Sequence, residues 1–222
     1  MWRLPYIEVL VCHKQQVEVF HSNLSIERSW VPFRCWVSLF LTGFTSEDLS
    51  GFLLEFHSDS SVLILILGLT NFFGKLPNSI GNLESLIWLD LSRSKFSGKL
   101  PNSIGNLAKL NSLDLSNNLF HGEIPSSLGN LSQLSSLSLS SNNFHGQLPS
   151  TWGNLSKLTS LDLRNNLFHG EIPSSLGNLS QLTSLSLSSN NFRQLPSTWG
   201  NLSKLTSLDL SNNLSMEKYR LP

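Results

Sequence analysis

Prolines recur at an almost constant interval along most of this chain. The interval is 24 residues four times and then 23, between Pro77, Pro101, Pro125, Pro149, Pro173 and Pro196. A period of this length is typical of a solenoid, in which each repeat forms one coil and adjacent coils bury each other's apolar edges. The 222 residues are therefore predicted to form mainly one elongated domain.

Glycines keep the same phase as the prolines and fix the boundaries of six coils. The coils are 62–85, 86–109, 110–133, 134–157, 158–181 and 182–204. Residues 1–38 match no repeat phase, and we interpret them as a degenerate cap or an artefact of the gene model. Residues 39–61 are interpreted as a degenerate repeat and residues 205–222 as a truncated last repeat.

Apolar and polar residues alternate in the first part of each coil, as coil 110–133 shows. Leu113 and Leu115 are expected to point inward, whereas Ser112, Asp114 and Ser116 point outward. A period of two indicates a β-strand. Parallel strands are predicted near Leu89–Leu91, Leu113–Leu115, Leu137–Leu139, Leu161–Leu163, Leu185–Leu187 and Leu208–Leu210.

The second half of the same coil changes its pattern. Phe120 and Ile124 are expected to point inward, and Gly122 permits a backbone turn that other residues avoid. The segment Pro125-Ser-Ser-Leu predicts one helical turn, which Pro125 begins and Gly129 ends.

One asparagine follows the predicted strand in five coils. A buried asparagine amide can satisfy backbone groups that would otherwise lack partners. Because the coils stack, these residues are predicted to form a structural ladder and not a binding site. They are Asn118, Asn142, Asn166, Asn190 and Asn213.

The coil text resembles a known family. The run Leu110-Asn-Ser-Leu-Asp-Leu-Ser-Asn-Asn-Leu-Phe-His-Gly-Glu-Ile-Pro-Ser-Ser-Leu-Gly-Asn-Leu is similar to the plant extracellular leucine-rich repeat, L-x-x-L-D-L-S-x-N-x-F-x-G-x-I-P-x-x-L-G-N-L. The resemblance is strong over 62–213 and weak over 39–61. It implies an α/β solenoid, a right-handed coil with a parallel sheet on the concave face and short helical turns on the convex side. It also implies a receptor-like protein or kinase ectodomain that binds ligands or co-receptors outside the cell.

The ends of the chain depart from that family. Only Trp30, Cys35 and Trp36 are similar to the cysteine-bearing cap that usually precedes the repeats. The first residues are interrupted by Pro5 and Glu8, unlike a signal peptide. The longest purely apolar run is too short for a membrane span of roughly 18 residues or more. We therefore expect a fragment of a longer extracellular or plasma-membrane protein.

Composition and motifs argue against catalysis. Fifteen basic and 15 acidic residues give a formal net charge of +0, which provides no electrostatic case for a nucleic-acid partner. Gly74-Lys-Leu and Gly98-Lys-Leu fail as phosphate-binding loops, and the elbow, kinase and zinc motifs are missing. The chain is predicted not to be an enzyme and to hold no cofactor or metal. His121, His145 and His169 share one slot, and we interpret them as solvated loop residues.

The outward strand residues of the concave face are candidates for ligand binding. Two coils offer almost only Ser and Thr there, including Ser135, Ser136, Ser138, Ser140 and Ser141 in one of them. Larger and charged residues stand out against this background, because aromatic and Arg residues are typical of binding hot spots. The alternative is that these are isolated surface residues without function. The candidates are Trp88, Asp90, Arg93, Asp114, Asp162 and Arg164.

N-x-Ser sequons recur with the repeat. Four belong to the Gly-Asn-Leu-Ser step, and Asn23 and Asn213 begin two others. N-glycosylation is expected if the chain enters the secretory pathway. The four candidate sites are Asn130, Asn154, Asn178 and Asn201.

The sequence also repeats with a longer period of two coils. Residues 119–163 and 167–210 are almost the same text, which indicates duplication of a two-coil, 48-residue unit. Such a surface can diversify in length, and this favours recognition of a protein, peptide or glycan ligand, or of a co-receptor, in defence or development. The alternatives are a secreted inhibitor of a microbial cell-wall-degrading enzyme and a surface that binds ice or polysaccharide through its Ser and Thr rows.

Overall fold

The computed structural model describes four strands between residues 10 and 40, then residues 62–69, 73–196, 199 and 202–214. The first three strands form an antiparallel sheet that the repeat period did not predict: β1 (Leu10–His13), β2 (Gln16–Phe20) and β3 (Ile26–Trp30). Several sequence-based expectations fall outside the described residues. These concern the Cys35-Trp36 pair, the sequons at Asn23 and Asn201, most of the degenerate repeat 39–61, and residues 215–222.

The inward leucines of each coil form a parallel sheet on the concave face. Leu137 pairs with Leu113 on one side and with Leu161 on the other, so adjacent coils are in register. This confirms the predicted solenoid and its strands, which begin one residue earlier than predicted. The sheet contains β4 (Val37–Phe40), β5 (Val62–Ile66), β7 (Trp88–Asp90), β9 (Ser112–Asp114), β11 (Ser136–Ser138), β13 (Ser160–Asp162), β15 (Ser184–Ser186) and β17 (Ser207–Asp209).

A second parallel sheet is formed by the short strands that follow the position of the ladder asparagine in each coil. Its strands alternate buried and exposed residues, as Leu119, Phe120 and His121 do. The repeat period did not predict this sheet, because each strand has only three to five residues. Three of the strands end at a glycine such as Gly122, whose φ is 90°. The strands are β6 (Phe73–Lys75), β8 (Lys95–Gly98), β10 (Leu119–Gly122), β12 (Asn143–Gly146), β14 (Leu167–Glu171) and β16 (Asn191–Gln194).

The convex side carries 3-10 helices. Pro125 precedes the third helix in an extended conformation with φ −64°, as its ring requires. The expectation that Gly129 ends this turn is wrong, because the helix continues to Asn130. A Cβ on Gly129 would lie 2.5 Å from the Thr151 carbonyl oxygen, so this glycine allows two helices to pack closely. The helices are Asn78–Asn82, Asn102–Asn106, Ser126–Asn130, Ser150–Asn154 and Ser174–Asn178.

The core is a continuous column of leucines with a stack of aromatic rings through it. Adjacent rings are nearly parallel, and their centroids lie 6.0–6.3 Å apart. Each ring is fully buried between its neighbours, so every coil depends on the next for its packing. The stacked residues are Phe96, Phe120, Phe144, Phe168 and Phe192. Within the described residues, no helix is long and apolar enough to cross a bilayer.

Candidate ligand-binding face

Strand pairing places the outward side chains of the concave sheet in rows that run along the solenoid. Trp88 of β7 pairs with Ser112 of β9, and Ser112 pairs with Ser136 of β11. In the next row Asp90 pairs with Ile66 of β5 on one side and with Asp114 on the other. Each row therefore brings one residue from every coil to within about 4.8 Å of the equivalent residue in the next coil.

The strand-end aspartates have a structural role. One carboxylate oxygen of Asp90 accepts a hydrogen bond from the Ser92 backbone N–H at 2.8 Å, and Asp114 does the same for Ser116 at 2.9 Å. The Asp162 carboxylate accepts from the Arg164 N–H at 3.2 Å. These bonds close the turn after the strands that end in aspartate, so the Leu-Asp-Leu pattern reflects turn geometry first.

Arg93 occupies an unusual backbone position. Its φ is 52°, in the left-handed region where the Cβ of an L-residue lies too close to the following carbonyl oxygen. The equivalent residues in later coils include Asn117 and Ser141, and asparagine tolerates this region better. Arg93 is exposed, and in the described part of the chain its guanidinium has neither a hydrogen bond nor an ion pair.

Arg164 differs from Arg93 in having a carboxylate partner. Its Nε lies 3.1 Å from an Asp162 carboxylate oxygen, so part of its charge is offset within the protein. Both arginines line one shallow depression on the concave face, together with Asp114 and the short polar residues between them. The structure thus brings four of the six predicted candidates together, namely Arg93, Asp114, Asp162 and Arg164.

Trp88 and Asp90 lie outside the lining of this depression, on the same coil as Arg93. The Trp88 side chain is 47% exposed, and the neighbouring Ile87 is 42% exposed. An exposed indole beside an exposed aliphatic side chain provides flat apolar area at one end of a polar face. Trp152, in contrast, is fully buried, and Trp199 packs against the core.

Not every residue expected on the concave face lies at the surface. Ser140 is 4% exposed and Ser188 is 6% exposed, because the chain turns inward directly after the strand. Ser116 is buried for the same reason. The outward surface of each coil is therefore narrower than the alternation of polar residues suggested.

The five ladder asparagines are buried below the rim of the concave face. The Asn142 amide nitrogen donates to the carbonyl oxygens of Leu115 at 2.9 Å and Leu139 at 3.1 Å. Its side-chain oxygen accepts from the Phe120 N–H at 3.0 Å. Asn118, Asn166, Asn190 and Asn213 repeat this arrangement, while Ser94 takes the slot in coil 86–109 and donates to the Leu67 carbonyl at 3.2 Å.

Among the Ser and Thr rows noted in the sequence, the structure places one row of serines in the centre of the sheet. Within the described residues, none of these hydroxyls has a hydrogen-bond partner. Serine occupies the first outward position in five strands. We call Ser112, Ser136, Ser160, Ser184 and Ser207 the central serine row.

The three histidines are exposed, but the interpretation as loop residues is wrong, because one lies in each of the strands β10, β12 and β14 of the second sheet. Among the described residues, no three His, Cys, Asp or Glu side chains are grouped as a metal ion would require. The concave face is the candidate site on its own chemistry, which consists of hydroxyls, carboxylates, an indole and two guanidinium groups.

Comparisons with known proteins agree with this architecture. The model of the leucine-rich repeat region matches residues 125–220, and the model of the leucine-rich repeat matches residues 85–107 and 109–131. A comparison with curated protein sequences gives no match.

Solved structures of plant proteins share this fold at 29–40% sequence identity. The Arabidopsis receptor kinase HAESA, in complex with the peptide hormone IDA and the co-receptor SERK1, is 40% identical over 68% of this chain and 26% of its own, with a TM-score of 0.66. The BIR3–SERK2 complex from Arabidopsis thaliana is 33% identical over 61% of this chain and 72% of the matched chain, with a TM-score of 0.55. A plant ice-binding protein is 29% identical over 82% of this chain and 58% of its own, with a TM-score of 0.61.

The length of the match differs among these structures. This chain spans about a quarter of the HAESA chain but nearly three quarters of the chain matched in the BIR3–SERK2 complex. The coil text, both parallel sheets and these matches all indicate one family. The chain belongs to the leucine-rich repeat family, in the form found in plant receptor kinase ectodomains.

Proposed function

We propose that this chain is a ligand- or co-receptor-binding module of a plant receptor-like protein or kinase, that it acts outside the cell in defence or developmental signalling, and that it catalyses no reaction. The single observation that carries the proposal is the contrast on the concave face. Coil 86–109 exposes Trp88 and Arg93, whose guanidinium has no partner in the part of the chain that the structure describes, beside a face that otherwise carries mostly short polar residues. The matches to receptor ectodomains in complex with a peptide hormone or a co-receptor support it.

The test is a pair of variants in the full chain. Trp88→Ala removes the exposed indole, and Arg93→Asn removes the charge while keeping a residue that suits the left-handed backbone. Synthetic extracellular plant peptides, oligosaccharides and co-receptor ectodomains would be screened for binding to the parent chain by biolayer interferometry. We expect at least one variant to weaken the binding that the screen finds by about tenfold or more, which is the range of interface hot spots.

Lys109→Ala is the matched control, because Lys109 is exposed on the segment that leads into the concave strand. It should leave binding unchanged. If both concave-face variants bind like the parent, this face is not the binding surface. If the chain instead inhibits a microbial cell-wall-degrading enzyme through this face, the inhibitor function takes its place.

If the chain is secreted, its exposed sequons are expected to be glycosylated. Asn130, Asn154 and Asn178 are exposed at the last residue of three successive 3-10 helices. We propose that they carry N-glycans in the secreted protein. The sequon at Asn213 is different, because its amide nitrogen is buried and donates to the Leu187 carbonyl at 3.0 Å. Glycopeptide mass spectrometry of secreted protein should find glycan at one or more of the first three and none at Asn213.

A further inference from the structure

The outward chemistry of the concave sheet repeats every two coils. Strands β9, β13 and β17 present a serine and an aspartate, whereas β11 and β15 present two serines. The turn after each strand alternates in the same way between asparagine and serine, at Asn117, Ser141, Asn165, Ser189 and Asn212. Because paired strands lie about 4.8 Å apart, this surface pattern has a period of about 9.6 Å. Such a surface fits a polymer with the same period.

The central serine row supplies hydrogen-bonding groups along that period. Its hydroxyls have no partner within the described part of the chain. The residues immediately before it are already committed, since the Thr159 hydroxyl donates to the Ser135 carbonyl at 2.9 Å and the Thr183 hydroxyl to the Thr159 carbonyl at 2.9 Å. The uncommitted row therefore lies beside threonines whose hydroxyls are engaged with the backbone.

The charges beside most of the row favour a neutral partner, because aspartates follow three of its serines on the same strands and Arg93 lies only in the first coil of the row. Asp114 uses one carboxylate oxygen for the Ser116 N–H, and its other oxygen has no partner among the described residues. Arg164 is already paired with Asp162. A polyhydroxyl chain would donate hydrogen bonds to such carboxylates, whereas an acidic chain would be repelled by them.

The row begins at an aromatic platform. Trp88 pairs with Ser112, so its exposed indole lies at the same strand position as the hydroxyls that follow. The flat face of an indole matches the apolar face of a sugar ring in shape and polarity.

We propose that the concave face binds a neutral β-1,4-linked polysaccharide, which lies across the strands along the central serine row with one ring on each strand. Successive rings of such a polymer are turned over, so its chemical repeat is two rings, as the surface repeats every two coils. The inference rests on the proposed ligand-binding role of this face and names the ligand class. An extended peptide repeats every two residues, about 6.8 Å, and does not match the period of the surface.

The experiment is calorimetric titration of the full chain with β-1,4-linked glucose oligomers of increasing length. Affinity should rise with each added ring up to six, because six strands from β7 to β17 contribute to the row that begins at Trp88. An α-1,4-linked oligomer of six rings coils and should not bind. Absence of saturable binding, or equal affinity for the two linkages, would overturn the proposal.

Point variants locate the site. Ser160→Ala should lower the affinity for the six-ring oligomer about fivefold, the effect of one lost hydrogen bond. Ser126→Ala is the matched control, since Ser126 is an exposed serine on a convex 3-10 helix, and it should have no effect. An unchanged affinity in Ser160→Ala, with the parent fold retained by circular dichroism, also rejects the proposed site.

A proline-rich peptide is the final arm, because a polyproline II helix repeats every three residues, about 9.3 Å, which is close to the period of the surface. If this peptide or another ligand binds in a Trp88-dependent manner while the glucose oligomers do not, the polysaccharide inference fails and the ligand-binding role stands. If the glucose oligomers bind but Trp88→Ala and Ser160→Ala leave their affinity unchanged, the binding lies elsewhere and the assignment to this face fails.

Discussion

Replacing Asn142 by leucine tests whether the buried asparagines hold the coils together. The Asn142 side chain is 7% exposed and makes four hydrogen bonds. The free-energy cost of losing each bond differs, because some of the partner groups keep a second hydrogen bond. The Leu115 carbonyl would still accept a hydrogen bond from the Asn118 side-chain amide at 3.2 Å, and the Leu139 carbonyl would still accept one from the Asn166 side-chain amide at 2.9 Å. The carbonyl of Ser140 would keep the Asn117 N–H at 2.9 Å.

The buried Phe120 N–H would lose its hydrogen-bond acceptor, because Asn142→Leu removes the side-chain oxygen at 3.0 Å. One stranded buried donor costs about 1–3 kcal/mol, and the three carbonyls add little because each retains another donor. The free energy of unfolding should therefore fall by about 1–3 kcal/mol, and not by the sum of four hydrogen bonds.

Urea denaturation followed by circular dichroism measures this change, and the slope shows whether the transition remains comparable. Asn143→Leu is the matched control, because Asn143 is exposed and the equivalent residues Leu119 and Leu167 are already leucines. It should alter the free energy of unfolding by less than about 0.5 kcal/mol. A parent-like midpoint for Asn142→Leu, with an unchanged slope, would refute the structural role of the ladder.

Three further changes test separate parts of the fold. Gly129→Ala should lower the free energy of unfolding by about 1–3 kcal/mol, because the new methyl group meets the Thr151 carbonyl oxygen, and a midpoint equal to the parent's in urea would contradict this. Ser94→Asn should raise it by about 0.5–1.5 kcal/mol by extending the ladder into coil 86–109, so a lower urea midpoint would count against that extension. The Ser188 and Ser211 hydroxyls lower the pKa of Asp209, so its contribution to stability should be present at neutral pH and lost as the pH falls through the folded-state pKa. Asp209→Asn should therefore reduce the loss of stability in acid, and thermal melts from neutral to acidic pH that parallel the parent's would disprove this.

The sequence predicted the solenoid because inward positions face the same constraint in every coil. Leu113 and Leu137 lie in one column, so an error in phase would have moved a leucine to the surface and a serine into the core. Asn142 was found by the same argument. The second sheet was not predicted, because the alternation in segments such as Leu119–Gly122 is too short to register as a strand by period alone.

The candidate site was less predictable, since outward residues are not tied to one another by packing. The aromatic and charged residues of coil 86–109 stood out as single letters, but the sequence did not show that Arg93 has a left-handed backbone or that Arg164 is paired with Asp162. The burial of Ser140 could not be predicted from the alternation of residues, because residues two positions apart share a face only until the strand ends.

The two-coil duplication connects the fold to the proposed ligand. Copying a coil pair keeps the inward column intact and copies its outward residues as well, so the new surface has the same period as the old one. A linear polymer placed along the central serine row would then meet the same groups again after about 9.6 Å, two strand spacings further along the sheet. Recognition of a polymer can therefore lengthen by two rings with each duplicated pair, without any new contact having to be selected. A ligand of fixed length gains nothing from such a duplication, and the alternation of Asp114, Ser138 and Asp162 along one row would then have no consequence for binding.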